Sequence, residues 1–288
     1  MLITGANGMI GSDLVNFFSK KNKVFAIFRN HNSISKGLKN KNIIWIKHDL
    51  KKKIYNKIKP KIIIHCAGVH SFSKKNHYND FIESNIIGLS NVLDFASRNK
   101  VKKIIHISSI DVYGNIKSSR LDEASPSINP SLIGCTKLLM EKMISKEKID
   151  YLNIRIPGVV GYLVNNPAYP WISNITNKMK EDKQIEIYNG DKLFNNILDT
   201  LEIFKFINKI KNRSLKKQIV NLSATKPVNL KKLILYIKYM LNSKSNILVN
   251  DKKSKYFIIS NKKLSKLYNY KASTTENIIK RYIKNFII

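Results

Sequence analysis

Cysteine is almost missing from this 288-residue sequence, which holds only Cys66 and Cys135. Two thiols make no disulfide framework, and a reducing cytoplasm suits such a chain. Acidic residues are also scarce, 19 against 52 lysines and arginines, for a formal charge of +33. No apolar run approaches the roughly 18–20 residues of a bilayer-spanning helix, and the first apolar residues form a short strand rather than a signal peptide. A cytoplasmic chain without membrane insertion is therefore expected. No internal repeat or low-complexity linker is present. With 43% apolar residues the chain can bury a sizeable core, which excludes collagen-like and disordered classes.

The positive charge lacks the features that would direct it to a nucleic acid. Lysines are dispersed through every segment beside Asn and Ile, as in Lys39-Asn40-Lys41-Asn42-Ile43-Ile44. No aromatic-interleaved basic motif and no zinc-ligand pattern accompanies them. The composition reads as the imprint of an A/T-rich genome. No specific nucleic-acid partner and no metal site are expected, only loose, salt-sensitive adhesion to polyanions.

What is present begins at residues 1–11, where the apolar Leu2-Ile3-Thr4 runs into Gly5-Ala6-Asn7-Gly8-Met9-Ile10-Gly11 and then into helical apolar spacing. Missing Cβ atoms let the chain turn at Gly5, approach a pyrophosphate at Gly8 and pack helix on strand at Gly11. The helix start, with free N–H groups and the positive dipole end, favours a phosphate. Apolar runs at 23–29, 43–46, 61–68, 101–109 and 151–155 read as further strands, with helices over 78–98 and 131–146 between them. This alternation predicts an α/β fold, a Rossmann-type doubly wound parallel sheet, with cofactors outside the carboxyl ends of the strands. The expected division is a dinucleotide-binding domain over 1–156 and a smaller α/β substrate lobe over 157–288. In that lobe 194–212 reads as helical, 219–222 as a strand and 230–241 as a helix, with 194–222 packing back on the first domain.

Several residues stand where a dinucleotide would lie. Arg29, ending the second strand, cannot accept from a ribose 2′-hydroxyl but can pair with a 2′-phosphate, so NADP is slightly preferred over NAD. A solvated arginine at a strand end is the other reading. The fourth strand ends in Cys66-Ala67-Gly68, small residues that a cofactor can pass closely. His70 beyond it is a site candidate or an exposed loop histidine. Asn85, polar among core positions of its helix, suggests a buried hydrogen-bond bridge. His106 reads as a strand residue.

Taken in order, Thr4 to Gly11, Asp49-Leu50, His65-Cys66-Ala67-Gly68, Asn85-Ile86-Ile87-Gly88, Ser108-Ser109-Ile110-Asp111-Val112-Tyr113-Gly114, Arg155 to Gly161 and Asn221-Leu222-Ser223 resemble the extended short-chain dehydrogenase/reductases. More narrowly, they resemble the NAD-dependent epimerase/dehydratase family that acts largely on nucleotide sugars. The resemblance covers almost the whole chain. It implies an NAD(P) site of Gly5, Asn7, Gly8, Met9, Ile10, Gly11, Arg29, Asp49, Leu50, Cys66, Ala67, Gly68, His70, Asn85, Ser108, Lys137 and Pro157. Asp49 either caps the next helix or, as the family resemblance implies, faces the adenine amino group. It also implies a nucleotide-sugar substrate, a role in cell-surface polysaccharide synthesis, and a homodimer through helices 78–98 and 131–146. In that family a serine, a tyrosine and a lysine four residues after the tyrosine carry the chemistry. Ser109 and Lys137 match the serine and lysine, but the tyrosine position holds Ile133, which cannot ionise. Two expectations follow: an enzyme on a nucleotide-linked sugar with another proton-transfer group, or a cofactor- or sugar-nucleotide-binding homologue without turnover.

Overall fold

The computed structural model describes residues 1–30, 38–55, 57–69, 77–163, 171–250 and 256–287. The chain divides into two compact units. Met1–Asn115, Pro126–Arg155 and Ile203–Val220 form the first; Ile116–Ser125, Ile156–Glu202 and Asn221–Ile288 form the second.

The first unit is built on a seven-stranded sheet. Its strands are β1 (Leu2–Thr4), β2 (Val24–Phe28), β3 (Ile43–Lys47), β4 (Ile62–His65), β5 (Lys103–Ser109), β6 (Asp150–Ile156) and β7 (Gln218–Asn221). Their spatial order is β7-β6-β5-β4-β1-β2-β3. The pairings from β3 through β2, β1 and β4 to β5 are parallel. The order therefore reverses between β1 and β4, and such a switch point opens a crevice at the carboxyl ends of the two strands. Isoleucine-rich β4 and β5 are buried on both faces, as central parallel strands are, whereas edge strand β3 is only half-buried.

Helix α1 (Met9–Ser19) follows β1, a long helix over 78–98 (α2) leads toward β5, and α3 (Leu132–Ser145) precedes β6. Leu89, Val92 and Phe95 of α2 join Met140 and Ile144 of α3 and Leu2, Ile63 and Ile104 of the sheet in one buried cluster. Ser131 caps α3, its Oγ accepting from the Gly134 N–H at 3.3 Å. Helix α2 is interrupted: between Tyr78–Phe81 and Gly88–Arg98, residues Ile82–Ile87 form a π-helical turn. Such inserted turns recur at functional sites, and this one carries Asn85.

The second unit is an assembly of small pairings. Gly158–Val160 pairs in parallel with Ile197–Asp199, Ile185–Tyr188 with Ile247–Asn250, and Arg120–Leu121 with Ile258–Ile259. Leu193–Phe194 pairs antiparallel with Val228–Asn229. One expectation is corrected here. The segment 194–199 is not helical: the helix (α4) covers Thr200–Ile210, and two short strands precede it. Asn195, 2% exposed, gives the reason: Nδ2 donates to the carbonyls of Ala224 and Ile259 at 3.0 and 2.8 Å, and Oδ1 accepts from the Ile259 N–H at 2.9 Å. A side chain that satisfies two neighbouring chains holds its own backbone extended. Asp199 then starts the helix, Oδ1 accepting from the Glu202 N–H at 2.8 Å.

Candidate functional site

The glycine turn joins β1 to α1 in a geometry that side chains would block. Gly5 has φ +64°, and a Cβ there would stand 2.8 Å from the backbone of Ala67 at the end of β4. A Cβ on Gly11 would lie 2.1 Å from the Gly5 carbonyl oxygen. Two glycines thus bring the turn, the first helical turn and the end of β4 into direct backbone contact. Gly8 occupies the N-cap position, no side chain caps the helix, and its first turn carries no acidic residue. The N-terminal N–H groups of α1 accordingly present an uncompensated positive end at the crevice, suited to a diphosphate. Asn7 steadies the loop by donating through Nδ2 to the carbonyl of Asn30, and the Thr4 hydroxyl bonds His65 Nδ1 at 2.8 Å.

Further along the same sheet, polar side chains gather around Lys137. The residue is 3% exposed; Nζ donates to the Ile107 carbonyl at 2.8 Å and to His106 Nε2 at 3.4 Å. His106 Nδ1 in turn donates to Asn153 Oδ1 at 3.0 Å. His65 lies opposite His106 in the β4–β5 register, ring centroids 5.8 Å apart. Burial, then the nearby Lys137 charge, pushes His65 down to about 3 and His106 well below its ordinary value, so both rings are neutral. Burial lowers Lys137 itself to about 8 and raises the Cys66 thiol to about 12. Beside this group, Arg155 forms a two-bonded pair with Glu141 at 2.9 and 2.7 Å, and Ser108 Oγ donates to the same carboxylate at 2.6 Å.

Ser109 ends β5, donating through Oγ to Asp111 Oδ2 at 2.9 Å while accepting from the Asp111 N–H at 3.1 Å. The turn bearing Asp111 rests directly on α3: a Cβ on Gly134 would fall 2.2 Å from the Asp111 carbonyl oxygen. Asn85 spans two elements, Oδ1 accepting from the Val69 N–H at 2.8 Å and Nδ2 donating to Thr136 Oγ1 at 3.0 Å. Its π-turn thus ties the chain beyond β4 to the helix that carries Lys137.

The second unit contains a cavity of about 460 Å³. Trp171, Tyr188, Phe194, Tyr256 and Phe257 contribute aromatic surface, and Lys178 and Lys192 are its cations. Asn174, Asn189 and Asn196 add amide groups. Flat aromatic walls suit a planar base, and lysines in the same wall suit phosphate oxygens.

Comparison with known proteins settles the lineage. The sequence profile of the NAD dependent epimerase/dehydratase family matches residues 1–256. The chain belongs to this family. Among curated relatives, a dTDP-D-glucose 4,6-dehydratase of Dictyostelium discoideum is 32% identical over 145 residues, 46% of this chain and about a third (33%) of the relative's own length. The UDP-glucose 4-epimerase of Thermotoga maritima, solved with UDP-glucose, superposes with a TM-score of 0.85 at 17% identity, covering 99% of this chain and 98% of that one. The Bordetella bronchiseptica enzyme WbmG, solved with NAD and UDP, gives 0.82 at 16% identity, covering 99% and 94%. At these identities the two structures establish the fold.

Gly5, Asn7, Gly8, Met9, Ile10, Gly11, Ala67, Gly68, Asn85 and Lys137 all belong to the first unit. Arg29 directly follows β2 and is exposed. Asp49 accepts from the Lys51 N–H at 3.1 Å, and Leu50 packs against the core cluster. Ser108 directs its hydroxyl to buried Glu141. Pro157 belongs to the second unit and is buried. His70 lies outside the described residues. Sequence reasoning passed over Glu141 and Asn153. Glu141 follows Lys137 by four residues, one helical turn along the same face, and Asn153 is a polar interruption of an apolar central strand; both signals were there to be read.

Proposed function

We propose that this chain is an NAD(P)-dependent enzyme acting on a nucleotide-linked sugar, in the synthesis of cell-surface polysaccharide. The observation that carries the reading is the aromatic and lysine-lined cavity of the second unit, in a chain whose first unit offers a diphosphate-binding turn. The residues present fit a dinucleotide: Gly5 and Gly11 let the turn, the start of α1 and the end of β4 close on one another, and the uncapped N–H groups at the start of α1 suit its diphosphate. When bound, such a cofactor supplies the oxidant for a sugar carbinol. The protein's part is to hold the diphosphate, to place the sugar and to move a hydroxyl proton. The homodimer expected from the resemblance is supported by apolar exposure on the two helices, with Ile82 49%, Ile87 42% and Leu139 48% exposed.

A second reading, binding without turnover, is favoured by Ile133, whose apolar side chain is 2% exposed four residues before Lys137. Purified protein incubated with a panel of nucleotide sugars and NAD or NADP, with products followed by chromatography, tests both. A converted sugar supports the enzyme. Tight binding of either ligand without conversion supports the second reading, and absence of binding to both the nucleotide sugars and the dinucleotides rejects both readings.

A further inference from the structure

Lys137 is held in a setting that makes its amine form far more accessible than water does. Among the described residues two groups accept from Nζ, the Ile107 carbonyl at 2.8 Å and His106 Nε2 at 3.4 Å. The second can only be an acceptor, because His106 Nδ1 bears the proton donated to Asn153 Oδ1. A neutral amine has two N–H bonds and one lone pair. With both N–H bonds directed at these acceptors, the lone pair takes the remaining tetrahedral direction. An ammonium would carry a third N–H there.

The neighbours do little to hold a positive charge. From β4, His65 is neutral and the Cys66 thiol, raised to about 12, is un-ionised. From β5, His106 is neutral. On α3 itself Glu141 is engaged by Arg155 and Ser108. From the turn after β5 comes Asp111, a carboxylate at the exposed surface that already receives the Ser109 hydroxyl. Burial prevails over these and lowers the lysine to about 8. At the end of β4, Gly68 lies beside the amine: a Cβ there would stand 3.6 Å from Nζ and 3.1 Å from Asn85 Oδ1, so any side chain at this position would crowd both.

We propose that Lys137 is itself the acid/base residue, its neutral amine taking the proton of a sugar hydroxyl, the duty that Ile133 cannot perform. The inference rests on the functional reading given above. In the step the hydroxyl O–H bond breaks and a bond from that hydrogen to Nζ forms, leaving an ammonium. The carbinol C–H hydrogen leaves with its electron pair to the oxidised nicotinamide dinucleotide, and the carbinol becomes a carbonyl. Returning the proton as the carbonyl is reduced restores the amine.

The direct test needs no turnover. In protein labelled with 13C and 15N at lysine, one side chain is expected to titrate near pH 8, and its signal should vanish in Lys137→Arg, whose guanidinium stays charged. With the converting sugar identified, the acid limb of the kcat profile should fall at the same pH, and Lys137→Arg should lower kcat by ~10²–10⁴-fold. His106→Phe removes a neutral acceptor that favours the ammonium, so it should lower the lysine midpoint and the acid limb together. A lysine that only packs or positions would not link those two readouts. Titration of Lys137 above pH 10, an acid limb that ignores its midpoint, or a Lys137→Arg chain with unchanged kcat each overturns the proposal. Binding of both ligands without conversion overturns it too while leaving the binding sites standing. Failure to bind any nucleotide sugar instead removes the functional reading, whatever pH Lys137 titrates at.

Discussion

The glycine turn and the Lys137 cluster belong to the same sheet and are built by opposite means. In the turn, function resides in backbone: what matters at Gly5 and Gly11 is the absence of side chains, and a Cβ would meet backbone at 2.8 and 2.1 Å. Around Lys137 it resides in side chains delivered by β4, β5, β6 and α3, each of which could pass for a core residue of its own element. The turn is local, seven residues from Gly5 to Gly11, whereas the cluster joins His65, His106, Lys137 and Asn153 across 89 residues of chain. Backbone-built sites resist drift because most substitutions clash. Side-chain-built sites can change one member and keep the fold.

The sharpest way to break the comparison is Gly11→Ala. One methyl group would be forced into the Gly5 carbonyl, and overpacking of this kind costs about 1–3 kcal/mol, here at the point where the diphosphate is expected. Dinucleotide affinity should fall by up to about a hundredfold, a factor that corresponds to about 2.7 kcal/mol, near the top of that range. Calorimetric titration checks it. Affinity within a few-fold of the unmodified chain would mean that the turn does not hold the ligand.

The cluster makes its own demand on stability, through pH. His65 is held neutral by burial, with its folded value near 3 against an ordinary 6.5, and His106 shifts the same way. Because the folded values are depressed, stability is fully present above about pH 6.5 and is lost as the pH falls toward 3, where unfolded imidazoles take up protons that folded ones refuse. Lys137 adds to the same trend at the alkaline end: between about 8 and 10.5 the unfolded chain holds the extra proton, so stability rises with pH there as well. Unfolding by urea at about pH 5, where carboxylates are still mostly ionised, should take up about two protons from these histidines. Uptake near zero would show the cluster to be solvated, more like an exposed loop than a packed interior.

These two regions also mark what a sequence can disclose. Gly5, Gly8 and Gly11 at fixed spacing after an apolar run specify a strand, a turn and a helix with one physical purpose, and the order of strands follows from alternation with helices. Asn85 was readable as a bridge because a lone polar residue on an apolar helix face needs partners. Its π-turn was not readable, since helical periodicity tolerates one inserted residue without losing the stripe. His106 read as a strand residue, and it is one; its bond to Lys137 depends on the β4–β5 register and on how α3 lies over the sheet, which local pattern does not encode. At 194–199 the apolar spacing favoured a helix, but Asn195 had long-range partners that held the chain extended. Asp199 three residues before Glu202 was the capping signal that placed the true helix start.

The smallest effect tests cofactor choice, at the far side of the turn from Lys137. Arg29 directly follows β2, exposed, where an acidic side chain would accept from a ribose 2′-hydroxyl and a guanidinium would pair with a 2′-phosphate. An exposed ion pair of this sort contributes at most about 1 kcal/mol, which sets the ceiling at about fivefold in affinity. Arg29→Asp should therefore weaken NADP binding by a few-fold, strengthen NAD binding, and reverse a slight preference rather than create a strong one. The change should fade with added salt, because surface charges at this distance are screened. A ratio of NADP to NAD affinity that stays put in the variant would leave Arg29 as a solvated strand-end charge. The glycine turn would then bind the diphosphate common to both cofactors without reading the ribose at all.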